Sequence, residues 1–134
     1  MKRAALLSAA LILAGLAGCG QVQPFTKPDP ASGRILDQGT EADRFMVLNC
    51  VYHGWSELSP DVDTTGVEKF GVERVRVHRG NDAAGKPIYD PVVDISQAGF
   101  GARIVYTEAT PGKLSPDYLN TVKRCMVPYS GHVD

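Results

Sequence analysis

From Arg74 to His78 the chain alternates charged and apolar residues, with Val75 and Val77 set between Arg74, Arg76 and His78. That is the period of a strand with one face buried and the other wet. Gly80-Asn81-Asp82-Ala83-Ala84-Gly85 reads as a loop by composition, and a second strand follows over Ile88–Ile95. Pro87 and Pro91 push that strand toward an edge or a bulge. Ser96-Gln97-Ala98-Gly99 makes a turn into a third strand over Phe100–Thr107. A shared register tests the pattern, because a slip of one residue moves every side chain to the opposite face. Centring the first hairpin near Ala83 sets Arg76 opposite Asp90 and Val77 opposite Tyr89. Centring the second between Gln97 and Ala98 sets Val93 opposite Ala102. One face then carries Val75, Val77, Tyr89, Val93, Ile95, Ala102, Ile104 and Tyr106, and the other carries the charges with Ile88, Val92 and Val105 among them.

Helical spacing flanks this meander. Thr40 supplies a cap, Glu41 and Asp43 favour the positive helix end, and Phe45, Leu48, Tyr52 and Trp55 recur at three- and four-residue intervals up to Leu58, before Pro60. A strand over Phe45–Tyr52 is the rival reading. Residues 59–70 are polar and turn-like, and Thr110-Pro111-Gly112 breaks the pattern again. Ser115-Pro116-Asp117 then reads as cap, first helical residue and early acid, ahead of a face of Tyr118, Leu119, Val122, Cys125 and Met126 that ends before Pro128. The expected architecture is a small two-layer α+β domain over residues 40–134: helix, three-stranded antiparallel meander, helix.

The N-terminus carries a different signal. Lys2 and Arg3 precede an apolar stretch from Ala4 to Leu16, which is shorter than a membrane span and ends in Leu16-Ala17-Gly18-Cys19. Residues 1–19 resemble the signal peptide of bacterial lipoproteins, in which a leucine and two small residues precede the cysteine. The resemblance implies removal of residues 1–18, acylation of Cys19 as the first mature residue, and a membrane partner reached through that lipid. Each buried methylene adds roughly 0.8 kcal/mol, and stable anchoring takes more than one chain. Gly20 stands where the family's inner-membrane retention signal commonly has aspartate, so the resemblance favours the outer membrane, facing the periplasm. Residues 19–39, with Pro24, Pro28 and Pro30, then read as a lipidated cysteine and a tether. Its residues from Gly20 to Leu36 reach about 55–60 Å fully extended and typically span about 20–25 Å.

With Cys19 committed to lipid by that resemblance, Cys50 and Cys125 remain, and an even pair in an exported protein points to a disulfide between the two helices. The chain-entropy model gives such a loop about 4.5 kcal/mol as an upper figure. A zinc site from Cys50, His53, Cys125 and His132 is the competing reading, but the spacing matches no common finger.

The loss of Lys2 and Arg3 leaves acids in modest excess, which argues against nucleic acid or a broadly anionic membrane surface as partner. Arg74, Arg76, His78 and Arg103 are candidates for an anion-binding sheet face, for a phosphate, a glycan carboxylate or an acidic protein loop. Against that stands a solvated face whose arginines pair across strands with Asp90 and Asp94. Val92, Ile88 and Val105 on the otherwise polar face, with Phe100 at its rim, suggest a partner contact, and Tyr129-Ser130-Gly131-His132 reads as a short tail that either joins such a contact or is mobile. His53, Ser56 and Asp61 carry the residue types of a hydrolase triad, yet no nucleophile elbow surrounds any serine and no cofactor fingerprint occurs. The expectation is a non-catalytic envelope lipoprotein that binds a protein or envelope polymer and uses no cofactor or metal. The alternatives are a small periplasmic hydrolase or ligand-binding enzyme using His53 or His78, and a purely structural envelope lipoprotein.

Overall fold

A computed structural model of the chain describes residues 32–67 and 71–128. The signal peptide, Cys19, Gly20, most of the expected tether and the tail with His132 lie outside the described residues. The elements are β1 (Arg34–Thr40), α1 (Arg44–Ser56), β2 (Val62–Val67), β3 (Val72–Asn81), β4 (Pro87–Ala98), β5 (Gly101–Thr107) and α2 (Pro116–Cys125). They build a five-stranded sheet in the order β1-β5-β4-β3-β2 with every neighbouring pair antiparallel.

The expected helix, three-stranded meander, helix arrangement is therefore wrong in its strand number. β1 occupies the end of the expected tether, where Leu36 buries against the core while its neighbours stay wetter. β2 occupies the stretch expected to be turns, and pairs from Val62 opposite Val77 to Val67 opposite Val72. Both are edge strands, with a ladder partner on one side only, so little burial is asked of their sequences.

The three central strands sort as their alternation demands, but in other registers. Arg76 faces Val92 rather than Asp90, and Val93 faces Tyr106 rather than Ala102. These shifts are even in number, so Val75, Val77, Val93, Ile95, Ala102, Ile104 and Tyr106 still share the buried face. Tyr89 does not. Between the pairs Arg76–Val92 and His78–Tyr89, β4 contains one more residue than β3, and this irregularity turns Tyr89 to the side of Arg76 and His78.

Asp43, not Thr40, caps α1, accepting the amides of Phe45 at 2.9 Å and Met46 at 3.2 Å. The helix buries Val47, Val51 and Trp55. Its expected leading residue, Phe45, is half exposed. α2 begins as the sequence indicates, with Ser115 Oγ accepting the Asp117 amide at 3.3 Å and Pro116 in the first turn.

The core lies between one sheet face and the helices. Trp55 sits at its centre, edge-on to Tyr106 at 6.1 Å and Tyr118 at 5.5 Å between ring centroids, with Nε1 donating to the Tyr118 carbonyl at 3.1 Å. The disulfide Cys50–Cys125 joins α1 to α2 with Cα atoms 5.6 Å apart. Beside it the helices touch closely, since a Cβ on Gly54 would stand 2.5 Å from Thr121 Cγ2. Beyond the end of β5, the buried Glu108 carboxylate accepts the Tyr106 hydroxyl at 2.6 Å and the Gly112 amide at 2.8 Å. It thereby satisfies a phenol that burial holds firmly protonated, its titration pushed far above the ordinary tyrosine range.

Candidate functional site: the open face of the sheet

The helices cover one side of the sheet, and among the described residues nothing is packed on the other. Strand alternation places Arg74, Arg76, Val92, Asp94, Arg103 and Val105 there, because their neighbours Val75, Val77, Val93, Ile95, Ala102, Ile104 and Tyr106 are all inside. Val92 and Val105 are half-buried, Val92 in register with Arg76 and Val105 with Asp94 and Asp37.

Each arginine on this face has a carboxylate. Arg74 meets Asp94 through two parallel bonds, Nε to Oδ1 at 2.6 Å and Nη2 to Oδ2 at 2.9 Å. Arg103 grips Asp37 in the same way at 2.8 and 2.7 Å, and Arg34 adds a 3.3 Å contact to Asp37 Oδ2. Arg76 donates to Asp63 Oδ1 at 2.7 Å while its guanidinium lies 3.7 Å from the Tyr89 ring centroid. Arg103 hydrogen-bonded to Asp37 holds that carboxyl below the usual aspartate range, and Asp94 and Asp37 in turn push Arg74 and Arg103 upward. A free anion would have to displace a carboxylate from two-pronged contacts at Arg74 or Arg103. A broad surface that packs on the valines and bonds to the rims of the ion pairs meets no such competition.

Of the acids expected to oppose the arginines, Asp94 does so. Asp90 does not: its carboxylate accepts the Ala109 amide at 3.0 Å and its carbonyl accepts Arg79 Nε at 2.7 Å. Asp37 and Asp63 were missed as partners because they belong to β1 and β2, the strands read as tether and turns.

His78 lies at the β2 side of the face, its ring 5.6 Å from that of Tyr89 and its Nε2 3.4 Å from Asn81 Oδ1. With Tyr89, Asp61, Val62 and Asp63 it lines a shallow, open depression of about 310 Å³. The triad residues are put to other uses. Ser56 Oγ donates to the Tyr52 carbonyl one helical turn back at 2.7 Å, His53 stacks edge-on against Tyr52 from an exposed position on α1, and Asp61 lines the His78 depression. Cys50 and Cys125 are bonded to each other, which removes both thiolates from any zinc site. Among the described residues no group of three or more histidines, cysteines and acids is placed to hold a metal ion. No helix among them is long and apolar enough to cross a membrane. Ile88 and Phe100 are exposed at opposite ends of β4, outside the valine strip. Comparisons with protein-family models, curated proteins and solved structures return no match for this chain.

Proposed function

We propose that this chain is a non-catalytic lipoprotein of the bacterial cell envelope, held at the outer membrane by acyl chains on Cys19 and facing the periplasm, whose open sheet face binds a protein or an envelope polymer. The observation that carries the reading is the uncovered sheet face itself. Val92 and Val105 provide apolar contact, while Arg74–Asp94, Arg103–Asp37 and Arg76–Asp63 fix the charges around them. Preset side chains lose less freedom on association than mobile ones, which favours binding. The openness of the depression at His78 favours the binding reading over a hydrolase built on that histidine, because a small-substrate enzyme needs a concave site that encloses much of its substrate and holds it against the catalytic group. The Cys50–Cys125 disulfide fits an oxidising compartment such as the periplasm.

A photoreactive amino acid at Val92, introduced into the full chain in its native membrane, tests the face. One discrete cross-linked species from Val92, and none from the same probe at Asn49 on the exposed side of α1, is the expected result. Equal or absent capture from both positions overturns it. Mass spectrometry of the N-terminal fragment reads the acyl chains on Cys19 independently.

A further inference from the structure

At one end of the fold four apolar side chains are half exposed or more, one of them, Phe45, with the Arg44 guanidinium 4.5 Å from its ring centroid. Ala98 pairs with Gly101, leaving Gly99 and Phe100 as a two-residue hairpin connection. Gly99 has φ +59° and Phe100 does not have a positive φ, the pattern of a type II′ turn. Phe100 is wholly exposed at its apex. Gly101 lets the hairpin lie against the corner between β1 and α1, since a Cβ there would overlap the Thr40 carbonyl oxygen. Just past that corner, in the first turn of α1, Phe45 and Met46 are 50% and 55% exposed. The Thr40 hydroxyl donates to the Met126 carbonyl, which draws the end of α2 and the exposed Val127 to the same place. Three separate segments thus converge near Thr40, so that Phe100, Phe45, Met46 and Val127 stand at the same end of the fold, on a hairpin and two helix ends.

We propose that this end is a bilayer-contacting tip, which inserts its apolar side chains into the interfacial region of the membrane that anchors the protein. The proposal rests on the lipoprotein reading above. Charge is not what draws the tip to lipid, because Glu41 and Asp43 stand against Arg44 and Lys123 at the same end. Apolar burial is, and the anchor makes it sufficient. The chain from Cys19 enters the sheet at Gly33, at the far end of β1 from Thr40, and β1 is about 20 Å long. The stretch from Cys19 to Gly33 can reach at most about 45–50 Å, more than twice the length of β1. The anchored domain can therefore turn its Phe100 end to the bilayer within the reach of the connection, and a tethered surface is presented at a raised effective concentration. An otherwise weak apolar contact then holds the strands upright on the membrane, with the open sheet face turned sideways.

The test uses the full chain, exported, purified with its lipid and reconstituted in phosphatidylethanolamine–phosphatidylglycerol vesicles that contain brominated phosphatidylcholine. Trp55 is the sole tryptophan of the chain and is buried, so Phe100→Trp adds an indole whose surroundings can be read separately. The expected result is a blue shift and a loss of intensity to brominated lipid that the parent protein does not show, both reduced when Phe45→Ser and Met46→Ser are added. Acylated Cys19 with an introduced indole that emits as in water overturns the tip alone. An indole that shifts only in native membranes, and not in pure lipid, identifies a protein partner there and also overturns it. A Cys19 without acyl chains overturns the anchor and the tip together.

Discussion

Arg103 and Asp37 tie the edge strand β1 to β5 through two parallel hydrogen bonds of 2.8 and 2.7 Å. Asp37 is largely covered, whereas Arg103 is about half exposed, so solvent screens the pair and its contribution is on the order of 1 kcal/mol or less. Folding depresses the Asp37 carboxyl below its unfolded value of about 3.9. The stabilisation is accordingly complete above that value and is lost as pH falls through the lower folded one. Asp37→Asn should therefore cost stability at pH 7 and lose less than the parent between pH 5 and pH 2. Urea unfolding across that range measures both.

Reduction, or the paired substitution Cys50→Ser with Cys125→Ser, should lower stability by about 2–4 kcal/mol. Cys50 is exposed and Cys125 is not, so the sulfur bridge is reachable from one side. Thiol titration of the oxidised protein should find neither cysteine free, and urea midpoints with and without reductant give the energetic effect.

Gly54→Ala should wedge α1 away from α2, because the added methyl meets Thr121 Cγ2 at 2.5 Å. Overpacking of this kind costs about 1–3 kcal/mol. Combining it with Thr121→Ser, which removes the obstructing methyl, should restore much of the loss in thermal unfolding. An additive loss would show that the contact is not the cause.

Glu108→Ala should cost about 1–3 kcal/mol, since it strands the buried Tyr106 hydroxyl and frees the Gly112 amide. Adding Tyr106→Phe to the same chain should cost less than the two single changes summed, because the phenol no longer lacks an acceptor. Urea unfolding of the parent, the two single variants and the double variant closes that cycle.

What the amino-acid order disclosed depended on how much each segment had to bury. Val75, Val77, Val93, Ile95, Ile104 and Tyr106 lie on central strands whose inner faces must be dry, so their alternation assigned faces correctly even though the hairpin centres were displaced. Parity survives an even shift; of the residues expected inside, only Tyr89, beyond the irregularity in β4, changed sides. β1 buries little more than Leu36, and β2 is made of Val62-Asp63-Thr64-Thr65-Gly66-Val67, so neither offers a period to read. In α1 apolar residues surround most of the circumference, and spacing alone could not decide between the Phe45 stripe and the Val47, Val51, Trp55 stripe that faces the sheet. The arginine face was legible as a cluster. Two of its three carboxylates were not, because Asp37 and Asp63 come from those weakly patterned edges.

The placement of β1 has a mechanical consequence. A pull on the chain ahead of Gly33 acts along the axis of a strand whose ladder with β5 runs from Arg34–Thr107 to Thr40–Ala102. If the load is resisted at the Phe100 end, those backbone bonds are sheared together rather than peeled in succession, and the Asp37–Arg103 crosspiece shares the force at mid-strand. Sideways tension would instead open the same seam from Arg34 one rung at a time. The domain is thus built to hold against traction along its sheet and to yield to traction across it.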